Sequence, residues 1–111
     1  MMVEIPVRTG RGLNDRLHWR ARASLAKKER SAAFLFVKSC GFGKWDVPCT
    51  VKMTRLSAGC LDSDNLQGAL KAIRDGTADA LGIKDNDPRV TWSYDQEKCK
   101  KGKFGVRIEI I

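Results

Sequence analysis

Residues 61–88 read LDSDNLQGALKAIRDGTADALGIKDNDP, a run in which two acidic clusters bracket one helix-like segment. Asp62 and Asp64 open it, and Asp85 and Asp87 close it. Between them Leu66, Leu70, Ile73, Ala80 and Leu81 recur near one stripe at helical spacing, which predicts a helix over 65–81 with that stripe toward a core. Asp64, Gly68, Lys71 and Asp75 step by four, three and four residues, so they stack along the opposite side. Gly82 stands where a helix stop is expected.

The acids admit two readings. As a group they suit a divalent cation, because hard ions such as Mg²⁺ take carboxylate oxygens and keep water positions open for a substrate phosphate. A lysine beside such a site holds a phosphate oxygen. Singly they suit ordinary chain geometry: Asp64 with Gln67 three residues on forms a helix-capping pair, and Asp85, Asn86 and Asp87 before Pro88 form a turn. Gly68 and Gly76 lower helix propensity by about 1 kcal/mol each. Close approach of a metal, of DNA or of another helix would offset that.

Outward from this stretch, CTVKMTRL at 49–56 alternates apolar and polar residues and predicts a half-buried strand that delivers Asp62 and Asp64 to a sheet edge. VEIPVR at 3–8 predicts a first strand, with Pro6 favouring an edge. Residues 15–39 lack Pro and Gly, are rich in Ala and Leu, and predict a long helix. Its basic face carries Arg16, Arg20, Lys27 and Arg30, and its apolar face Leu25, Ala32, Ala33, Phe36 and Val37. His18 reads as a packing or phosphate contact and Trp19 as core. Residues 89–98 and 104–111 predict two strands joined by a lysine-rich loop, most simply an antiparallel hairpin. The order β-α-β-α-β-β makes an α+β fold: a single small domain over 1–111, with two main helices on a mixed sheet.

Composition narrows the function classes. With 111 residues the chain builds one modest core. Its start lacks a signal-peptide core and it holds no membrane-length apolar run, so a cytoplasmic protein with no membrane contact is expected. The four cysteines form no C-x-x-C pair and have no histidine at zinc spacing. Arg11 lies in a Gly10/Gly12 loop that does not match a dinucleotide fingerprint. The net charge of +8 is unevenly spread: residues 8–30 carry eight bases against two acids, residues 98–107 five bases and no acid, and residues 62–87 six acids against three bases. An acidic island in a basic chain suits a polyanion drawn to the flanks, among them Arg11, Arg16, Arg20, Lys27, Arg30, Lys100, Lys101 and Lys103, with cations screening the island.

The run Asp62, Ser63, Asp64, Asn65, Leu66, then Lys71, Asp75, Gly82 and Asp87, with His18-Trp19 and Trp92-x-Tyr94-Asp95-Gln96 at its flanks, resembles the RusA family of Holliday-junction resolvases, especially its short prophage-type members. The resemblance implies a Mg²⁺-dependent endodeoxyribonuclease, with Mn²⁺ as the alternative ion. Such an enzyme acts as a homodimer and resolves four-way DNA junctions by paired nicks in recombination and repair. It matches Asp62, Asp64 and Asp87 to metal-binding aspartates, Lys71 to the motif lysine and Asp75 to a further motif acid, with Asp85 as an additional acid. In many members the lysine comes a turn sooner and the two late acids are adjacent, whereas here Asn86 separates Asp85 from Asp87; the spacing to Gly82 and Val90 selects Asp87. This reading expects the three aspartates to converge on one cation. A metal-dependent nuclease for another branched substrate and a non-catalytic basic DNA-binding accessory protein are its rivals.

Overall fold

The structure, a computed structural model, describes residues 2–9, 19–40 and 48–111. The alternation of CTVKMTRLS forms β2 (Cys49–Ser57), with Cys49, Val51, Met53 and Arg55 buried at every second position. Helix α2 (Ser63–Leu81) follows it, and β3 (Val90–Lys98) then runs parallel to β2, with Cys49 opposite Val90 and Ser57 opposite Lys98. Parallel neighbours need a crossover, and α2 is that crossover. Its stripe packs as the periodicity predicts: Leu66, Leu70, Ile73 and Ala80 are all at least nine-tenths buried. The helix ends at Gly82, whose φ of 70° is the left-handed conformation glycine adopts without strain. The Gly82 N–H closes onto Asp79 O (3.2 Å) and the Ile83 N–H onto Ala78 O (3.0 Å).

Strand β4 (Gly105–Ile110) pairs antiparallel with β2 on one side and with β1 (Met2–Ile5) on the other, giving the sheet order β1-β4-β2-β3. The expected β3–β4 hairpin is therefore not formed. β2 lies between those strands, and residues 99–104 step across its end, where the Cys99 N–H bonds Ser57 O (2.9 Å). Burial explains the preference. β2 has no exposed residue, whereas β3 exposes Thr91, Asp95 and Glu97 and takes an edge. The mixed sheet, the two helices and the element order agree with the sequence pattern.

Helix α1 (Trp19–Ser39) lies beside α2, and both cover the sheet face bearing Val51, Met53, Trp92, Val106 and Ile108. Ala33 and Val37 are fully buried there. Gly76 sets the closeness of the two helices, since a Cβ on it would lie 2.2 Å from Arg30 O and 2.8 Å from the Ala33 Cβ. Its helix-weakening cost is thus offset by packing. Glu29 is buried in α1 with one carboxylate oxygen lacking a hydrogen bond, and burial raises its pKa from 4.5 to about 7. Trp19, expected in the core, is 67% exposed, with Arg20 stacked over its ring at 5.2 Å. The uncovered face of the sheet is polar and carries Lys52–Asp95, Arg107–Glu4 and Arg107–Glu97 ion pairs. Among the described residues no helix is long and apolar enough to cross a membrane.

Candidate functional site

β1, β2 and β3 point the same way, because β4 runs antiparallel to both β1 and β2. Their carboxyl ends share one rim of the sheet, the position where α/β units commonly place ligands. At that rim the sequence DSDNL begins α2. Asp62 is its N-cap, and its Oδ1 accepts from the Asn65 N–H at 2.9 Å. The buried Asn65 amide also donates to both Asp62 oxygens, at 3.0 and 3.1 Å. The cap is thus Asp62 and not the Asp64–Gln67 pair read from the sequence. One residue earlier, the Leu61 N–H donates to Gln96 Oε1 (2.9 Å), and Gln96 Nε2 donates back to Leu61 O (2.7 Å). Gln96, on β3, therefore fixes the backbone that presents Asp62. Asp64 is exposed in the first turn, and neither it nor Asp62 has an ion-pair partner among the described residues.

The second half of α2 and the loop after it are built differently. Lys71 Nζ donates to Asp75 Oδ1 (3.0 Å) and Asp85 Oδ2 (3.2 Å), tying the helix to the loop after it. Arg74 bonds the Asp85 carbonyl (2.6 Å) and the Tyr94 hydroxyl (2.8 Å), with its guanidinium 4.8 Å from the centre of the Trp92 ring. Asp87 accepts from the Arg89 N–H (2.9 Å) and from the Arg89 guanidinium (3.1 and 2.8 Å), the Asx-type turn that its place before Pro88 suggests. The hydrogen bonds from the Arg89 side chain hold the Asp87 carboxyl down at about 2. Lys71 likewise lowers Asp85, and Arg30 lowers Asp79 through hydrogen bonds of 2.7 and 3.0 Å that also join α1 to α2.

These two ends do not meet. Asp62 and Asp64 follow the carboxyl end of β2, whereas Asp87 precedes the amino end of β3, at the opposite rim of this parallel pair, and Asp85 lies beside the middle of α2, where Lys71 and Arg74 hold it. The expected convergence of Asp62, Asp64 and Asp87 on one cation is not found among the described residues, because the parallel β2–β3 pair places Asp87 and the two motif acids at opposite rims. Lys71 stands two turns from Asp64 and points its ammonium into the far cluster. Among the described residues no group of three His, Cys, Asp or Glu side chains is placed to hold a metal ion.

Of the basic residues expected to track phosphates, Arg11 and Arg16 lie outside the described residues, as does His18. Arg20 and Lys27 are exposed on α1, whereas Arg30 is committed to Asp79. Lys100, Lys101 and Lys103 are exposed in the loop after β3, turned by Gly102 at φ 87°, and therefore sit at the motif rim. Sequence reasoning passed over Arg8 and Arg55, which share this rim. The signal for Arg55 was its register: it continues the buried positions Cys49, Val51 and Met53, where a charge is out of place.

No family model matches the chain. An uncharacterized protein of Xylella fastidiosa is 33% identical to it over 78 residues, which cover 65% of this chain and 51% of that protein. The chain thus spans about half the length of this relative.

Proposed function

We propose that the chain is a Mg²⁺-dependent endodeoxyribonuclease that cuts branched DNA, with the four-way junction as substrate, and that Asp62 and Asp64 carry its metal. One observation supports this reading above the others: the described acids at the far end of α2 are matched with cations, whereas Asp62 and Asp64 have none and stand on a rim of Arg and Lys. Two hard carboxylates fit Mg²⁺, which is commonly held by one or two carboxylates and completes its shell with water and substrate phosphate. When bound, the ion supplies Lewis-acid chemistry for phosphodiester hydrolysis. Asn65 and Gln96 keep the Asp62 carboxylate and its backbone in place, so the ligand is oriented before substrate arrives. Lys100, Lys101 and Lys103 offer charge to the DNA backbone beside it. The resemblance to RusA-type resolvases in D-x-D-N-L supplies the junction as substrate and the homodimer as the acting form, since one site per chain nicks one strand. Asp87 joins such a site only from a second copy.

A second reading, a basic DNA-binding protein without catalysis, is favoured by the lack of a third carboxylate beside Asp62 and Asp64 among the described residues. One assay separates the two. A labelled immobile four-way junction and a linear duplex are incubated with wild type and Asp64→Asn, in Mg²⁺ or EDTA. Cutting of the junction alone, dependent on Mg²⁺ and lost in the variant with binding retained, is the expected result. Equal cutting of both DNAs removes the junction as the preferred substrate, and cutting of neither favours the accessory protein.

A further inference from the structure

Beside the Asp62–Asp64 pair lies a cavity of about 480 Å³ whose walls include Arg8, Thr9, Arg55, Gly59, Cys60 and Phe104. Arg55 is the unusual member. It is only 8% exposed, and a guanidinium taken out of water needs a counter-charge. Its Nε donates to Thr9 Oγ1 at 3.0 Å and an Nη to Gly59 O at 3.4 Å, two neutral acceptors that satisfy hydrogen bonds, so that among the described residues the Cys60 sulfur, and no carboxylate, stands near the charge. Burial pulls its pKa down. Other guanidiniums of the fold are answered: Arg30 by Asp79, Arg89 by Asp87, Arg107 by Glu4 and Glu97, and Arg74 by the Trp92 ring. No carboxylate faces Arg55 among the described residues, and the second arginine of the cavity, Arg8, is also without one.

We propose that this cavity binds one phosphate of a nucleic-acid chain, held by Arg55 from below and Arg8 from the rim. A guanidinium suits that ligand because its fork of N–H donors meets two phosphate oxygens at once. Phe104 at the wall offers an adjacent base or sugar an apolar contact, and Lys103 precedes it in the basic loop. Leu61 lines the cavity and immediately precedes Asp62, so a phosphate here is a neighbour of the one offered to the aspartates. The proposal rests on the nuclease reading only for the identity of the chain as nucleic acid; the anion site stands on the buried Arg55 and on Arg8, which no carboxylate meets among the described residues.

The test reads binding and not cutting. The arginine Nε–H resonances of the full chain are followed by NMR while inorganic phosphate or tetrathymidylate without terminal phosphates is added, against sodium chloride at matched ionic strength. A saturable shift of the Arg55 Nε–H with both probes, tighter for the oligonucleotide and weakened in Arg8→Ala, is expected. In junction binding, Arg55→Gln and Arg8→Ala should each lower the slope of log affinity against log salt by about one. Arg8 is exposed, so its variant reports even where Arg55→Gln unfolds. No saturable shift, or a shift with inorganic phosphate alone, overturns the proposal. Oligonucleotide binding at Arg55 without any cutting keeps it and removes the nuclease; cutting with a silent Arg55 does the reverse.

Discussion

The acids before α2 and those along and beyond its second half solve the electrostatics in opposite ways. Beyond the helix, Asp85 and Asp87 are met by Lys71 and Arg89 at 3.2 and 2.8 Å, and their hydrogen bonds close a turn. Before the helix, Asp62 is oriented by neutral donors and Asp64 by none, while Arg55, Arg8 and three lysines nearby have no acid of their own among the described residues. Charges that answer one another within the chain need no ligand. Charges of both signs left unanswered on one rim are suited to a cation and a polyanion that arrive together.

The largest expected effect comes from breaking the open end. Asp64→Asn should lower junction cutting by about two orders of magnitude and leave the melting temperature unchanged, because Asp64 makes no contact that the fold uses. Cutting at the wild-type rate would dissolve the distinction between the ends. Glu29 sharpens what an unpaired acid means when it is buried. Its pKa of about 7 lies above the ordinary 4.5, so the folded state holds the proton longer than the unfolded chain does. Stability from this group is fully present below pH 4.5 and falls as pH rises toward 7. Glu29→Gln should therefore melt near wild type at pH 4.5 and higher than wild type at pH 8, by at most about 3 kcal/mol. Equal melting curves at both pH values would show that Glu29 is ionised in the fold.

Smaller effects are expected at the closed end. Lys71→Met removes two exposed ion pairs and should cost about 1 kcal/mol or less, with junction cutting within twofold of wild type; a loss of cutting would restore Lys71 to the site. Asp87→Asn should lower the melting temperature at neutral pH and keep most cutting. Because Arg89 depresses the Asp87 pKa to about 2 from 3.8, this contribution is present above pH 3.8 and disappears as pH falls through 2. If Asp87→Asn instead abolishes cutting, mixing it with Asp64→Asn decides the matter: recovered nicking in the mixture means that the site is shared between two copies.

Much of the fold was legible because local pattern and tertiary demand agree. The stripe from Leu66 to Leu81 and the alternation from Cys49 to Met53 each have one way to be buried. The strand pairing was not, since β3 and β4 alternate equally well in a hairpin or on either side of β2. Trp19 misleads for a related reason: its bulk suggests core, while its position at the exposed start of α1 keeps it at the surface. At the candidate site, D-x-D-N-L was visible and is where the unanswered acids lie. Lys71 and Asp87 were also visible, but residue type and spacing along a chain do not reveal that Asp87 stands at the opposite rim from Asp62, or that Lys71 is held by Asp75 and Asp85 and Asp87 by Arg89. Arg55 was concealed because it continues the alternation of β2 at a position that alternation assigns to an apolar residue.

The distinction between the ends is tested most directly by asking which of them takes the cation. Trace Mn²⁺ added to the ¹⁵N-labelled chain, with Mg²⁺ as competitor, should broaden the amide signals of Leu61–Leu66 and Gln96 and leave those of Lys84–Arg89 sharp, with Mg²⁺ reversing the effect. Broadening centred on Lys84–Arg89 and absent at Leu61–Leu66 would contradict the account.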